Sequence, residues 1–333
     1  MHGMRTFLTL TLLFLFSHLL YAEIPKPTAD KERIIKTVRF LSEENHPRSA
    51  LPENKEKTIN YIVQSLSAAG LTATRSELFI KTVLSDHNPS FPDGENNNVE
   101  IELYRHSLTN IHALKKGKTN RRIIVAAHFD IVPESPGADD NASGVVALIE
   151  LAYMLKQTAE LNCDVELVSY DAEEMGLLGS RYHAKQLKNQ KVDVVCMISM
   201  DLVGYYSDAE HSQNYPVAGM SLLYGTKGDF LAMIGKAEDT KLLSAAQKAW
   251  KEATTLKLLT LSAPKGLDLL LSRSDHAPFW WEGYPALFIT DTADFRSKHY
   301  HAKTDTWDTL DYDRLAQVPV GLYHMILMLD AAQ

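Results

Sequence analysis

Short apolar runs alternate with amphipathic stretches along this 333-residue chain. Ile34, Ile35, Val38 and Leu41 share one helical face, and Ile59, Ile62, Val63 and Leu66 repeat the spacing, so two amphipathic helices are predicted early in the chain. Gly70 is a plausible stop for the second. Residues 87–98 crowd Asn, Pro, Asp and Gly together and read as a loop. The rhythm then changes. Residues 123–127, 165–170, 193–200 and 286–290 are apolar, strand-like runs, residues 144–156 read as a helix, and a last helix is predicted to begin near Tyr312. Strands that are apolar throughout belong in a sheet covered on both sides. The pattern therefore predicts the α/β class: a single globular domain with a mixed, mostly parallel central sheet and helices on both faces. Residues 205–228 lack periodicity and read as loops over one end of that sheet. No internal repeat or low-complexity linker marks a second domain.

The first 22 residues follow a different logic. Arg5 precedes an apolar run over residues 7–20, which Thr9, Thr11, Ser17 and His18 interrupt. That run is shorter and more polar than the roughly 20 apolar residues that span a bilayer. A basic start, a short apolar stretch and the small residue Ala22 describe a secretory signal peptide. The expected organisation is a signal peptide over 1–22 and one catalytic domain over 23–333. The mature protein is expected to be exported, to the periplasm or the extracellular space, with no stable membrane association. Export would allow a disulfide between Cys163 and Cys196. Both lie in or beside strand-like runs, where free buried cysteines are common, and two free thiols are expected.

Composition narrows the function. Hydrophobic residues make up 45% and charged residues 23%, which excludes a disordered chain and a polytopic membrane protein. A formal charge of −8 without a long basic run disfavours nucleic-acid binding. Two cysteines cannot build a four-thiolate zinc site, but 13 histidines and 42 carboxylates leave other metal ligands plentiful.

Ligands of open α/β sheets bind beyond the carboxyl ends of the strands, so the polar residues just past each predicted strand matter most. His128, Phe129 and Asp130 follow the first strand, and Asp171, Ala172, Glu173 and Glu174 the second. Asp201 follows the third, and His299, Tyr300 and His301 lie in the loop after the last. Asp140 stands near a predicted helix start, within Gly137-Ala138-Asp139-Asp140-Asn141-Ala142-Ser143-Gly144. Singly, each has an ordinary explanation as a surface hydrogen bond, a solvated helix face or a turn residue. Together, carboxylates converging on one sheet edge would raise one another's pKa values unless cations neutralised them. Imidazole with carboxylate suits zinc best, and manganese or cobalt next. A bridging carboxylate with two ligand sets would hold two ions roughly 3.5–4 Å apart, as in hydrolytic two-metal sites.

Five blocks appear in order: Ala127-His128-Phe129-Asp130, the Pro136–Gly144 segment, Asp171-Ala172-Glu173-Glu174-Met175-Gly176, Met200-Asp201, and Tyr300-His301-Ala302-Lys303-Thr304-Asp305-Thr306. With the twelve-residue step from His128 to Asp140, they make the chain resemble the co-catalytic (di-zinc) aminopeptidases typified by secreted bacterial and fungal leucine aminopeptidases. The resemblance runs from about His46 to the last helix. It implies a zinc-peptidase, phosphorylase/hydrolase-like fold and two Zn2+ per chain, one held by His128 and Asp201, the other by Glu174 and His301, with Asp140 bridging. It also implies that Asp130 accepts the second ring N–H of His128, that Glu173 is the general base and acid, and that Tyr300 binds the oxyanion. The substrates would be peptides with free amino termini.

His276, in Ser274-Asp275-His276-Ala277-Pro278-Phe279, is expected to pack or line the pocket rather than ligate. Ala302 replaces the hydroxyl residue usual after the last histidine ligand, which is expected to loosen the surroundings of His301. A single-zinc glutaminyl cyclase shares the implied fold, as does a carboxypeptidase that would need a basic cluster such as Arg273, Arg296 or Lys298. A metal-free receptor-like ectodomain is the remaining alternative. Oligomeric state is not legible.

Overall fold

The computed structural model describes residues 27–78, 108–263 and 271–333. The expected signal peptide and the 87–98 loop lie outside them. The four apolar runs predicted as strands form the centre of the sheet: β3 (Arg122–His128), β4 (Asp164–Tyr170), β5 (Val194–Met200) and β8 (Ala286–Thr290). Around them lie β1 (Thr72–Leu78), β2 (Leu108–Lys115), β6 (Phe230–Lys236) and β7 (Lys257–Ala263), giving one eight-stranded sheet in the order β1-β2-β4-β3-β5-β8-β6-β7. The central neighbours β4, β3, β5 and β8 run parallel, as do β6 and β7, whereas β1–β2, β2–β4 and β6–β8 are antiparallel. The mixed α/β architecture is as predicted. Apolar runs point only to strands buried on both faces; β1 (TATRSEL) is mostly exposed or half-exposed and carries no such signal.

Helices cover both faces. On one side lie α1 (Lys31–Arg39), α2 (Pro52–Ala68), α3 (Gly144–Lys156), α5 (Thr240–Ala253) and α6 (Val318–Ala331), and on the other α4 (Leu178–Asn189) with a short helix over Ala277–Trp281. Ile34, Val38 and Leu41 are buried against the first face, as are Ile59, Ile62 and Leu66. Asp30 caps α1 by accepting the Arg33 N–H at 3.0 Å. The Arg33 guanidinium then grips the buried Glu150 of α3 with both arms, at 2.5 and 2.8 Å, so α1 is fastened to the central helix by a bidentate ion pair. The predicted last helix divides in two: Tyr312–Leu315 capped by Asp311, then α6, with Pro319 in its first turn. Residues 205–228 are loop apart from a short helix over Met220–Tyr224. Among the described residues no helix is long and apolar enough to cross a membrane. Cys163 and Cys196 are buried free thiols, as expected.

Candidate metal centre

The carboxyl ends of β3, β4 and β5 deliver His128, the 171–174 turn and Asp201 to one edge, and the loop after β8 brings His301 to them. Asp140 comes from the segment between β3 and α3, a tight turn over Ala138–Ser143 in which Asp140 and Asn141 leave helical geometry and are joined by a cis peptide. Two glycines permit this turn. Gly137 sits at φ +67° with a Cβ position only 2.4 Å from the Asp140 carbonyl, and a Cβ on Gly144 would meet Asn141 Oδ1 at 2.3 Å.

The turn is clamped from outside. Arg48, fully buried, donates from Nε to the Phe129 carbonyl at 2.7 Å, from Nη1 to those of Pro136 and Gly137 at 2.9 and 2.8 Å, and from Nη2 to that of Asp140 at 3.1 Å. Opposite it, the Asp305 carboxylate accepts the Asp139 N–H at 2.9 Å and the Asp140 N–H at 3.1 Å. Asn141 ties the turn to the sheet, donating to the Met200 carbonyl at 2.8 Å and accepting the Gly144 N–H at 3.1 Å.

The Asp140 carboxylate faces two ways. Its Oδ1 lies 3.3 Å from His128 Nε2, and its Oδ2 lies 3.2 Å from His301 Nε2. His128 Nε2 is also 3.1 Å from Asp201 Oδ1, and His301 Nε2 is 3.3 Å from Glu174 Oε2. Two triads result, His128–Asp140–Asp201 and Asp140–Glu174–His301, sharing one carboxylate. Ligand atoms about 2.0–2.1 Å from a tetrahedral ion lie roughly 3.3 Å from one another, so these spacings suit zinc. Glu174 Oε1 is buried with no hydrogen-bond partner, a further lone pair aimed at no protein donor. The residues therefore fit the metal that the sequence implies.

Electrostatics agree. Burial opposes charging His128, yet Asp201 and Glu173 hold its pKa well above the ordinary imidazole value. Burial likewise opposes charging His301, but Asp140 and Glu174 push it up to about 10. Burial, reinforced by neighbouring carboxylates, raises Glu173, Glu174 and Asp201. Asp305 is pushed up to about 8 by burial and by Asp139 and Asp140. A carboxyl raised in the folded state contributes stability that is fully present below its ordinary value of 3.8 and is lost as pH rises through about 8. Chelated protein should thus lose stability, on the order of a few kcal/mol, between pH 5 and 8. Bound cations should suppress that loss, which urea melts with and without chelator at the two pH values would reveal. Equal midpoints for chelated protein at both would refute it.

The remaining expectations divide. Asp130 Oδ1 approaches His128 Nδ1 only to 3.4 Å, and that ring nitrogen makes no hydrogen bond. Instead the two Asp130 oxygens accept the Glu173 and Glu174 N–H groups at 3.0 and 3.1 Å, so Asp130 orients the turn that carries both glutamates. Tyr300 lies flat against the His301 ring, centroids 3.8 Å apart, and burial raises its hydroxyl pKa. His276 is fully buried, bonded through Nε2 to the Leu271 carbonyl and stacked on Phe288, and takes no part in either triad. Arg273 pairs with Asp294 at 2.9 Å, and Arg296 donates to Gln213 and to the Tyr205 carbonyl.

Comparison with known proteins places these features in context. The model of peptidase family M28 matches residues 110–325. The uncharacterized protein YfbL of Escherichia coli K12 is 33% identical over 320 residues, 90% of this chain and 88% of that protein. Leucine aminopeptidase 1 of Paracoccidioides brasiliensis is 28% identical over 237 residues, 66% of this chain but 55% of its own length, so the chain spans about half of that relative. Among solved structures, BSAP, a zinc aminopeptidase from Bacillus subtilis, superposes with a TM-score of 0.68 at 17% identity, over 91% of this chain and 95% of that one. Porphyromonas gingivalis glutaminyl cyclase does so at 0.62 and 18% identity, over 92% and 99%.

Proposed function

Because the chain belongs to peptidase family M28, we propose that it is an exported di-zinc aminopeptidase that hydrolyses the first peptide bond of peptides with free amino termini. The observation that carries this reading is Asp140, whose two oxygens each face a different histidine. His128, Asp140 and Asp201 would hold one zinc, and Asp140, Glu174 and His301 the other. Bound there, the pair supplies Lewis acidity and makes water a usable nucleophile at neutral pH.

The chain's own groups do the rest. Glu173 is buried beside the triads, and the backbone N–H that fixes its position is held by Asp130. Its carboxylate takes the proton of the attacking water and returns it to the leaving amine. The Tyr300 hydroxyl, kept protonated by its raised pKa, donates to the carbonyl oxygen as charge develops there. The excess of carboxylates around the triads attracts the substrate's free ammonium. Acetylated peptides should therefore be cut at least tenfold more slowly than free ones, roughly one lost charged contact; equal rates in a peptide-release assay would overturn the aminopeptidase reading. Export rests on the amino-terminal 22 residues.

The deciding experiment is hydrolysis of an aminoacyl-p-nitroanilide panel before and after chelation and zinc return. Zinc-restored release supports the proposal, and the best substrate identifies the pocket. No release, with cyclisation of an amino-terminal glutaminyl peptide instead, would favour the cyclase.

A further inference from the structure

A second set of metal-type ligands lies in the fold away from the centre described above. His112 on β2, Glu166 on β4 and His183 on α4 bring His112 Nδ1, Glu166 Oε1 and His183 Nε2 within 4.8 Å of one another. His112 Nδ1 is 2.9 Å from Glu166 Oε1 and His183 Nε2 is 3.6 Å from the same oxygen. The longer separation exceeds a hydrogen bond but suits two ligands of one ion, which stand roughly 3.3 Å apart around zinc. Glu166 is four residues upstream of Tyr170, about 13 Å back along β4 from the sheet edge that carries the catalytic carboxylates.

The outward atoms of all three groups are already held. Ser76 Oγ lies 3.1 Å from His112 Nε2, Tyr170 Oη lies 2.8 Å from His183 Nδ1, and Arg122 Nη1 donates to Glu166 Oε2 at 3.0 Å. Outer partners of this kind fix the orientation of metal-ligating histidines and carboxylates. A hydroxyl can donate or accept, so Ser76 and Tyr170 satisfy either tautomer, and each ring can turn a lone pair inward without losing its outer bond. Burial keeps His183 neutral, its pKa lowered to about 3. Glu166 is drawn down to about 2 despite its burial, by the hydrogen bond with His112 and the Arg122 guanidinium beside it. Arg122 opposes a cation there, but its charge is shared with Asp164, 3.8 Å from its Nη2. Sequence pattern gives no hint of the cluster, because its ligands come from two strands and a helix.

We propose that His112, Glu166 and His183 form a further binding site for a zinc-class divalent cation, with water completing the coordination, that fastens α4 to the β2–β4 pair.

The test uses the full chain with Zn2+ alone as the probe. Wild type, His112→Gln and His183→Asn are stripped, dialysed against buffered zinc and analysed for metal per chain. Each variant should hold one zinc fewer than wild type, while peptidase activity of His112→Gln stays within twofold. The comparison is between counts, so it stands or falls separately from the di-zinc assignment. Diffraction from wild-type crystals at the zinc absorption edge needs no variant, and should show an anomalous peak between His112 Nδ1, His183 Nε2 and Glu166 Oε1. Equal zinc counts, or no peak at that position from zinc-soaked wild type, would mean a hydrogen-bonded cluster only.

Discussion

Replacing Glu173 with Gln should lower kcat by roughly 10²–10⁴-fold, the usual worth of a positioned general base, while zinc content stays at the wild-type level. The substitution keeps the shape of the side chain and removes its capacity to take up a proton. Glu173 belongs to neither triad of prospective ligands, so losing its charge removes no donor atom. Its neighbour Glu174, adjacent in sequence, points an oxygen at His301 at 3.3 Å. Glu174→Gln should therefore show the opposite pairing: weaker zinc binding, with activity partly recovered at high zinc. Turnover on the best nitroanilide, measured beside metal analysis, separates the two. If Glu173→Gln kept more than about a tenth of wild-type kcat, Glu173 would not be the base.

The second large effect is expected far from the reacting atoms. Arg48→Met should destabilise the protein by about 3–5 kcal/mol, because several buried carbonyls each lose a donor at about 1–3 kcal/mol apiece, and weaken zinc binding with it. Four carbonyl oxygens now share one guanidinium; methionine would remove that donor from all four, and only the Gly137 carbonyl would keep another, the Ala142 N–H at 3.2 Å. The carbonyl of Asp140 is one of the four, so the loss falls on the residue that faces both histidines. Burial lowers the Arg48 pKa only to about 10, so the charge is present at neutral pH. Arg48→Lys keeps that charge but gathers its donors at one point, where the planar fork spreads them over four acceptors. It should fall between wild type and methionine in urea midpoint and in zinc affinity. Identical midpoints for all three would show that the clamp adds nothing.

These two residues mark what the sequence discloses and what it hides. His128, Asp140, Glu174, Asp201 and His301 are legible because ligand chemistry requires particular side chains at strand ends, and the structure does gather them. The four central strands are legible because burial on both faces demands unbroken apolar runs. Arg48 has no local signature. Its partners are backbone carbonyls 81 to 92 residues away, and a carbonyl has no letter in the sequence. Asp305 lies inside a block singled out for its histidine, yet its use as an acceptor for two N–H groups depends on how the chain folds back. The interaction of Asp130 with two backbone amides escapes prediction for the same reason.

The clamp on Asp140 also sets an order of events. One jaw lies 92 residues before that aspartate and the other 165 residues after it. As the chain is synthesised from its amino terminus, Arg48, β3 and the Asp140 turn emerge early, but His301 and Asp305 arrive only after every strand of the sheet has been made. Non-local contacts of such separation form late, because loop closure must precede them. The two triads are therefore completed only late in the fold, and a growing chain whose sheet is already paired still lacks both the second imidazole and the second jaw.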